Sequence, residues 1–562
     1  MSKKILIVGG VAGGLSAATR LRRNSESDEI TVFERGRDVS FSNCSLPYRL
    51  GNIIKNTEDL IFSGPEYFKK IFNIDVKIRH EVLSIDRENK QISVKNLLNN
   101  EIYQKAYDVL ILSPGAHPII PNIKIDDSMP IFTIRNVEDI EQILDGVKNA
   151  KDITVIGGGF IGVEAAENLN HAGKNVSLIE ATSQILRPYD EDMVQILHKN
   201  IEDKGINLFL NSPVKEIKSD EVLLGNDEII KAQAVIMAIG VSPENSLAKS
   251  ANLELGVRST IKTDEFYKTN DPNIYAIGDA IEVESKLDGQ KINLTLAGPA
   301  LKQAHIVADL INGKKPKEIK NTYIGSSAIK VFDYNAAATG LSESAIEKQA
   351  LPIKYDSINL VLSDKVSIMP DASYMIFKLI FEVPSGKVLG AQAIGTGDVT
   401  KRIDVISTAI HFGGTVYDLQ NIEVAYAPPF ATAKDIINYA GYAAANVLEG
   451  KYEHEKCKNI RTLVDQGAVI IDVREKFEFA NGHLKNAINI PLSEIRERLD
   501  EIPKDKPVYL YCRSAQRSYT ATMILKNRGY ENVKNINGGF LFIELYEYYN
   551  EKILKKDSII EG

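Results

Sequence analysis

Short, unbroken apolar runs that end on glycine turns alternate along this chain with stretches in which apolar residues return every third or fourth position. Residues 3–8 (KKILIV) are too short for a buried helix and too uniformly apolar for a half-exposed strand, so they read as a strand covered on both faces. Gly9-Gly10-Val11-Ala12-Gly13-Gly14 follows, then a helical pattern over Leu15–Arg23 and a second apolar run, Ile30–Glu34. That order predicts a βαβ unit. It returns at Ile153–Ile156, with the turn Gly157-Gly158-Gly159-Phe160-Ile161-Gly162, a helix through Leu169 and a strand over Asn175–Glu180. From Tyr323 to Gly450 strands and helices alternate without such a turn, and the charged stretch Glu449–Lys456 reads as a linker. A tail of about 100 residues, the size of an independent domain, then shows strands at Ala468–Val473 and Pro507–Tyr511. The pattern as a whole predicts an α/β protein of several domains.

Length agrees, since 562 residues exceed what one hydrophobic core holds. With 44% hydrophobic and 25% charged residues the composition is that of a globular protein, which sets aside disordered and fibrous classes. The net charge of -8 comes without a basic block, so nothing argues for nucleic acid. No stretch approaches the roughly 18 apolar residues of a membrane span, and the first apolar run is too short for a secretory signal. We therefore expect a cytoplasmic protein that does not enter membranes. Three cysteines, Cys44, Cys457 and Cys512, form no C-x-x-C or C-x-x-x-x-C pair. A redox thiol in this chain must pair with something brought from outside.

The second glycine turn fits G-x-G-x-x-G in full. Gly157, Gly159 and Gly162 let the backbone approach a pyrophosphate, the helix beginning at Phe160 and Ile161 presents its N–H groups, and Glu180 is placed to accept from ribose hydroxyls. A carboxylate there opposes a 2′-phosphate, which favours NADH over NADPH. The first turn is less regular, because Val11 stands where the second glycine is expected.

The distant segment Thr269–Asp279 (TNDPNIYAIGD) resembles the second FAD fingerprint of flavin disulfide reductases. Leu112–Ala116 and Gly240–Asn245 resemble the short crossover motifs of that superfamily. The resemblance implies FAD held by Gly9, Gly10, Val11, Ala12, Gly13, Gly14, Glu34, Arg35, Ser113, Gly115, Arg135, Gly278, Asp279 and Ala297, with Gly240 beside NADH. Val39–Tyr48 (VSFSNCSLPY) is similar to the single-cysteine motif of coenzyme A-disulfide reductases and related persulfide reductases. In that family the cysteine, here Cys44, lies beside the flavin and alternates between thiolate and a mixed disulfide with coenzyme A. The resemblance places Ser16, Arg20, Arg23, Ser40, Asn43 and Lys434 around coenzyme A, and it implies a homodimer in which Tyr426 of Ala425–Pro429 (AYAPP) reaches the partner's site. Two positions depart from the family. Phe72 stands where a pocket lysine is usual, with Lys69 and Lys70 near it, and Ile368-Met369-Pro370 replaces a Tyr-Tyr-Pro segment.

Ile471–Glu475 with Gly482–Pro491 resembles the rhodanese signature, and Tyr511–Ser518 (YCRSAQRS) its active loop. Loop N–H groups, the following helix N-terminus and Arg517 would stabilise a thiolate or persulfide at Cys512. Ala515 replaces the usual glycine, so a positive φ there would be strained, and Cys457 reads as an idle linker thiol. The resemblances divide the chain into an FAD domain at 1–150 and 265–322, an NADH domain at 151–264, both Rossmann-like, an α+β dimerisation domain at 323–450, a linker at 451–460 and an α/β rhodanese-like domain at 461–562. They imply NADH-dependent reduction of coenzyme A persulfide or polysulfide to hydrosulfide at Cys44, with Cys512 relaying sulfane sulfur. Coenzyme A-disulfide reduction, an NADH oxidase or peroxidase, and a sulfur carrier stay open beside it.

Overall fold

The computed structural model describes residues 2–314 and 322–562 and divides them into two compact units. Residues 315–321, near the end of the second FAD segment, lie outside the described residues. No helix among the described residues is long and apolar enough to cross a membrane.

The first unit comprises residues 1–183 and 205–323. It holds two five-stranded sheets built as the apolar runs predict. In one, Lys4–Val8 lies between Val109–Leu112 and Glu29–Phe33, with Ile274–Ala276 and Asp75–Lys77 at the edges, all parallel. Ile5, Leu6 and Ile7 are at most 1% exposed, as expected of a strand covered on both faces. The other sheet runs Ile131–Phe132, Ala234–Met237, Asp152–Ile156, Asn175–Ile179, Asn207–Phe209, again parallel. The edge strand Ile131–Phe132 comes from within the stretch assigned by sequence to the FAD domain.

The second unit comprises residues 184–204 and 324–562. Its antiparallel sheet runs Ser326–Val331, Tyr334–Gly340, Val388–Gly395, Tyr374–Glu382, Tyr355–Ser363, and the helices Thr400–His411 and Ile436–Leu448 follow it in the chain. A parallel sheet forms the rhodanese-like part, in the order Glu453–Glu455, Val533–Ile536, Val508–Tyr511, Val469–Asp472, Ile488–Asn489. The stretch read as a linker is thus partly an edge strand, with Glu453, His454 and Glu455 in parallel register with Lys534, Asn535 and Ile536. Cys457, just after it, is only 5% exposed, and burial pushes its thiol well up from the ordinary value.

Charge suggested a solvated linker, but here His454 and Lys456 are half-buried in ion pairs. Lys378, 1% exposed, meets Asp190 at 3.1 Å, Asp192 at 2.8 Å and Glu343 at 2.6 Å. Lys456 pairs with the same Glu343, and His454 Nε2 donates to Asp356 at 2.9 Å while its Nδ1 accepts from the Asn537 amide at 2.8 Å. Asp190 and Asp192 explain why residues 184–204 join this unit although sequence assigns them to the NADH domain. Burial alone would raise the Glu343 carboxyl, but the Lys378 and Lys456 ammonium groups outweigh it and hold it at about 2.

Removing one member of such a cluster strands the others, a loss of about 3–5 kcal/mol. Lys378→Met should therefore lower the urea midpoint of the second unit, followed by circular dichroism. Because Glu343 is held below its unfolded value, its contribution is complete above the ordinary carboxylate range and is lost as pH falls toward about 2. Melting temperatures of the wild type should fall more steeply over that window than those of Glu343→Gln.

Candidate active site

Local backbone geometry sets Cys44 at the surface. Ser40 adopts φ 52°, its N–H donates to the Gly10 carbonyl at 3.0 Å and its carbonyl accepts from Phe62 at 2.8 Å, which pins the segment to the first glycine turn. A single helical turn, Asn43–Ser45, follows, closed by a 2.6 Å hydrogen bond between the Ser42 and Ser45 hydroxyls. The helix Leu46–Leu50 continues it, with Pro47 in its first turn, where a missing N–H costs nothing. Cys44 is exposed, whereas Cys457 and Cys512 are buried. Partial burial, and then the carboxylates of Glu164 and Asp279, push the Cys44 thiol up from its ordinary value.

The first glycine turn, Glu34, Ser113, Gly115, Arg135, Gly278 and Asp279 lie in this same unit. Glu34 accepts from the N–H of Gly10 at 2.8 Å and of Gly36 at 2.7 Å. Ser113 N–H donates to Val8 and Arg135 Nη2 to the Pro114 carbonyl at 3.3 Å, beside Gly115. Arg35 turns to Glu244 at 3.2 Å. Gly278 N–H donates to Gln303 at 2.7 Å, and Ala297 opens the helix Ala297–Ile311. Burial pushes the Asp279 carboxyl up, against the pull of Arg135, and neither of its oxygens has a hydrogen-bond donor among the described residues. A carboxylate in that condition fits a site built for a hydroxyl-bearing ligand.

In the second turn a Cβ on Gly162 would fall 1.9 Å from the Gly157 carbonyl, so only glycine lets helix Phe160–His171 begin so near its strand. Gly159 between them faces open space, with nothing within 4 Å of where its Cβ would stand. Glu180 accepts from the Gly158 N–H at 2.8 Å and from the Thr182 N–H and hydroxyl at 2.9 and 2.7 Å. Gly240 is exposed, in a left-handed conformation at φ 123°. These residues fit a dinucleotide laid on the helix N-terminus.

The residues expected around coenzyme A are more scattered. Ser16 is half-buried, and Arg20 spends its guanidinium on Asp309, at 2.8 and 2.9 Å. Arg23 is exposed, with its guanidinium 5.3 Å from the Phe72 ring, so Phe72 holds a cation by its face. Asn43 is exposed beside Cys44. Lys434 and Tyr426 belong to the second unit. The Lys434 ammonium lies 5.3 and 4.9 Å from the rings of Tyr439 and Tyr442. Tyr426, 49% exposed, lines a cleft of about 540 Å³ with Asp364, Lys365, Asp398 and Lys401. Ile368 is 85% exposed.

In the rhodanese-like part Cys512 follows the buried strand Val508–Tyr511 and precedes helix Gln516–Lys526. Ala515 adopts φ 68°, the left-handed conformation, at a strain of about 1–2 kcal/mol. The Ser518 hydroxyl donates to Cys512 Sγ at 3.6 Å. Arg517 is held by Glu478 at 2.6 and 2.8 Å, and that hydrogen bond, with a smaller contribution from Cys512, keeps its guanidinium above the ordinary range.

Three residues with evident chemistry carry no role in the sequence reading. Glu478 pairs with Arg517, and an acidic residue between Arg474 and Gly482 of the rhodanese signature is the signal that points to it. Glu164 and Tyr48 stand near Cys44. The Tyr48 hydroxyl donates to Glu164 Oε1 at 3.1 Å, and burial pushes the Glu164 carboxyl up to about 7. Their signal is a lone carboxylate in the apolar first turns of a helix, FIGVE.

Comparison with known proteins matches residues 3–304 to the pyridine nucleotide-disulphide oxidoreductase profile, more than half of the chain. The chain belongs to that family. The dimerisation domain of these oxidoreductases matches 326–435, and a rhodanese-like domain matches 457–542. The chain is therefore a pyridine nucleotide-disulphide oxidoreductase that uses FAD and NAD(P)H and carries a rhodanese-like domain. It is 35% identical to coenzyme A disulfide reductase of Staphylococcus epidermidis over 443 residues, 78% of this chain and 99% of the relative. The structure of reduced Bacillus anthracis CoADR-RHD superposes with a TM-score of 0.94 at 43% identity, covering 98% of both chains. An NAD-dependent persulfide reductase from A. fulgidus gives 0.89 at 33% identity, over 96% of this chain and 99% of that one.

Exposure separates the three thiols of this oxidoreductase. Brief treatment of the native protein with iodoacetamide should alkylate Cys44 alone, and denaturant should expose Cys457 and Cys512 as well, as read by peptide mass spectrometry. Equal labelling of all three in the native protein would contradict the burial described.

Proposed function

We propose that this protein reduces coenzyme A persulfide or polysulfide with NADH and releases hydrosulfide, with Cys44 as the reducing thiol and Cys512 as the carrier of sulfane sulfur. The observation that carries this reading is the presence in one chain of an exposed thiol in the unit with two dinucleotide cradles and a second, buried thiol at the mouth of a rhodanese loop. Coenzyme A disulfide holds no sulfane sulfur, so it gives a rhodanese nothing to transfer. FAD bound by the first cradle would supply two-electron chemistry to the sulfur at Cys44. The chain's own residues then have clear tasks. Glu34 and Glu180 hold the glycine turns open for their nucleotides, Asn43 and Ser40 border the reacting thiol, and Arg517 with the Ser518 hydroxyl stabilises negative sulfur at Cys512.

NADH is preferred over NADPH in this reading, because the Glu180 carboxylate stands where a 2′-phosphate would lie. The protein acts as a cytoplasmic homodimer, a reading supported by the match to a dimerisation domain and by three thiols without a disulfide. Tyr426 serves the partner's site, and Lys434 binds the coenzyme A phosphates. Coenzyme A-disulfide reduction is the second reading, favoured by the name of the Staphylococcus epidermidis relative. The exposed Ile368 counts against it, since a phenol that could protonate a departing thiolate is missing there.

NADH-dependent sulfide release tests the division of labour. Cys44→Ser should lose at least a hundredfold with every sulfur substrate. Cys512→Ser should keep activity with coenzyme A persulfide and lose it with thiosulfate or a bulky persulfide that must first load the rhodanese loop. Faster turnover of coenzyme A disulfide than of the persulfide by the wild type would favour the second reading. Glu180→Ser should narrow the ratio of kcat/KM for NADH over NADPH about tenfold or more, the effect of a charge facing the 2′ position.

A further inference from the structure

One short segment, residues 537–541, holds the rhodanese loop from behind. The Phe540 N–H donates to the Cys512 carbonyl at 2.8 Å and the Leu541 N–H to the Arg513 carbonyl at 3.1 Å, so the first turn of helix Gly539–Tyr548 grips the backbone that carries the thiol. Gly538 and Gly539 take left-handed conformations, φ 74° and 67°, and a Cβ on Gly539 would stand 2.7 Å from both Ala515 N and the Cys512 carbonyl oxygen. With no slack at that contact, a shift of the segment moves the loop.

The segment is itself anchored on the antiparallel sheet of the same unit. Asn537, 3% exposed, donates its N–H to the Glu455 carbonyl at 2.9 Å. Its amide nitrogen donates to the Ser357 carbonyl at 3.2 Å and to His454 Nδ1 at 2.8 Å, one hydrogen for each acceptor. Turning the amide over would set its oxygen against the Ser357 carbonyl, acceptor against acceptor. Ser357 thus decides the orientation of Asn537, and Asn537 the tautomer of His454. Nδ1 bears the lone pair, and Nε2–H is left for Asp356 at 2.9 Å.

We infer that Asn537 and His454 are positioning residues for sulfur loading at Cys512, and that they hold the loop only while the His454 ring is neutral. The inference rests on the reading of Cys512 as the sulfane-sulfur carrier. An imidazolium carries a hydrogen on Nδ1, which meets the Asn537 amide hydrogens, so the amide must leave Ser357 or the ring must leave Asn537. Either movement releases the residue that precedes Gly538 and Gly539. In loading from thiosulfate, the Cys512 thiolate attacks the sulfane sulfur, the S–S bond of thiosulfate breaks, a new S–S bond forms on Cys512 Sγ, and sulfite leaves with the electron pair. No proton moves in that step, so His454 acts through geometry alone.

Charged groups face His454 from each neighbouring strand. Asp356, on Tyr355–Ser363, favours the imidazolium, while the Lys456 ammonium, 3.7 Å from the other Asp356 oxygen and paired with Glu343, opposes it. On the histidine's own strand, Glu453 and Glu455 turn to Lys534 of Val533–Ile536 at 3.6 and 3.9 Å. Burial pushes the Tyr452 phenol up, so it brings no charge near neutrality.

The test is the rate at which the full-length, FAD-loaded protein takes sulfur from thiosulfate without NADH, across about pH 5 to 8, where histidines change charge. Samples quenched with iodoacetamide in denaturant are read for the sulfur-bearing Cys512 peptide by mass spectrometry. His454→Asn keeps an amide oxygen for Asn537 near the place of Nδ1 but takes up no proton. Its loading rate relative to wild type should therefore rise about tenfold from the alkaline to the acid end, the worth of one lost hydrogen bond. Any limb that Cys512 itself contributes is common to both and cancels. Asp356→Asn removes the charge that favours the imidazolium, so the acid loss should begin about one pH unit lower. Asn537→Ala should load about tenfold more slowly than wild type at the alkaline end and lose no more than Cys512 itself does toward acid. A His454→Asn ratio flat with pH, or an acid limb unmoved in Asp356→Asn, would overturn the inference, since a role in stability alone lowers the rate equally at every pH. A wild type whose Cys512 takes no sulfur at any pH sinks the carrier reading and this inference with it; normal loading with a flat ratio sinks the positioning alone.

Discussion

In both βαβ segments of the first unit a carboxylate just past the second strand accepts the second N–H of the glycine turn, Glu34 from Gly10 and Glu180 from Gly158, each at 2.8 Å. That one charge-assisted hydrogen bond ties a turn with almost no side chains to a rigid strand. Without it the turn has little to fix its shape before a nucleotide arrives. Ser40 hangs from the Gly10 carbonyl, so the segment that presents Cys44 takes its position from the same turn. The exposed thiol and the first glycine turn are in this way referred to one backbone element.

The parts of the molecule with short-range rules could be read from sequence. Glycine spacing, an acidic strand end and apolar runs of the right length announce both cradles, because each property is decided within about 30 residues. The Ala515 strain was legible for the same reason, since a loop between strand and helix demands a particular φ. Long-range pairings were not. The pairing of Arg20 with Asp309 has no sign in the sequence, and residues 184–204 read as part of the NADH domain and are found with the second unit. Glu164 is invisible as chemistry until Tyr48 is beside it, more than a hundred residues away in sequence.

Charge density misled most at residues 451–460, and the reason is physical. A run such as EHEK in the chain looks solvated because isolated charges prefer water. Here His454 and Lys456 meet Asp356 and Glu343, so their desolvation is offset by partners from far along the chain. Lys378 sits at the centre of that arrangement with three carboxylates, one of them shared with Lys456. Such a cluster tolerates little displacement, since Lys378 is almost wholly out of water and its carboxylates are further fixed by Ser344, Gln392, Asn359 and Ser357.

The edge strand Glu453–Glu455 has one more consequence, for anyone dividing the chain. Cutting before residue 461, where composition invites it, would strip Val533–Ile536 of its parallel neighbour and bare the backbone N–H and C=O groups of a largely buried strand. An isolated tail made that way would offer another copy of itself a ready template for edge-to-edge pairing. The rhodanese-like part borrows its outermost strand from a charged stretch that composition reads as connecting chain, and its solubility as a separate fragment depends on keeping that strand.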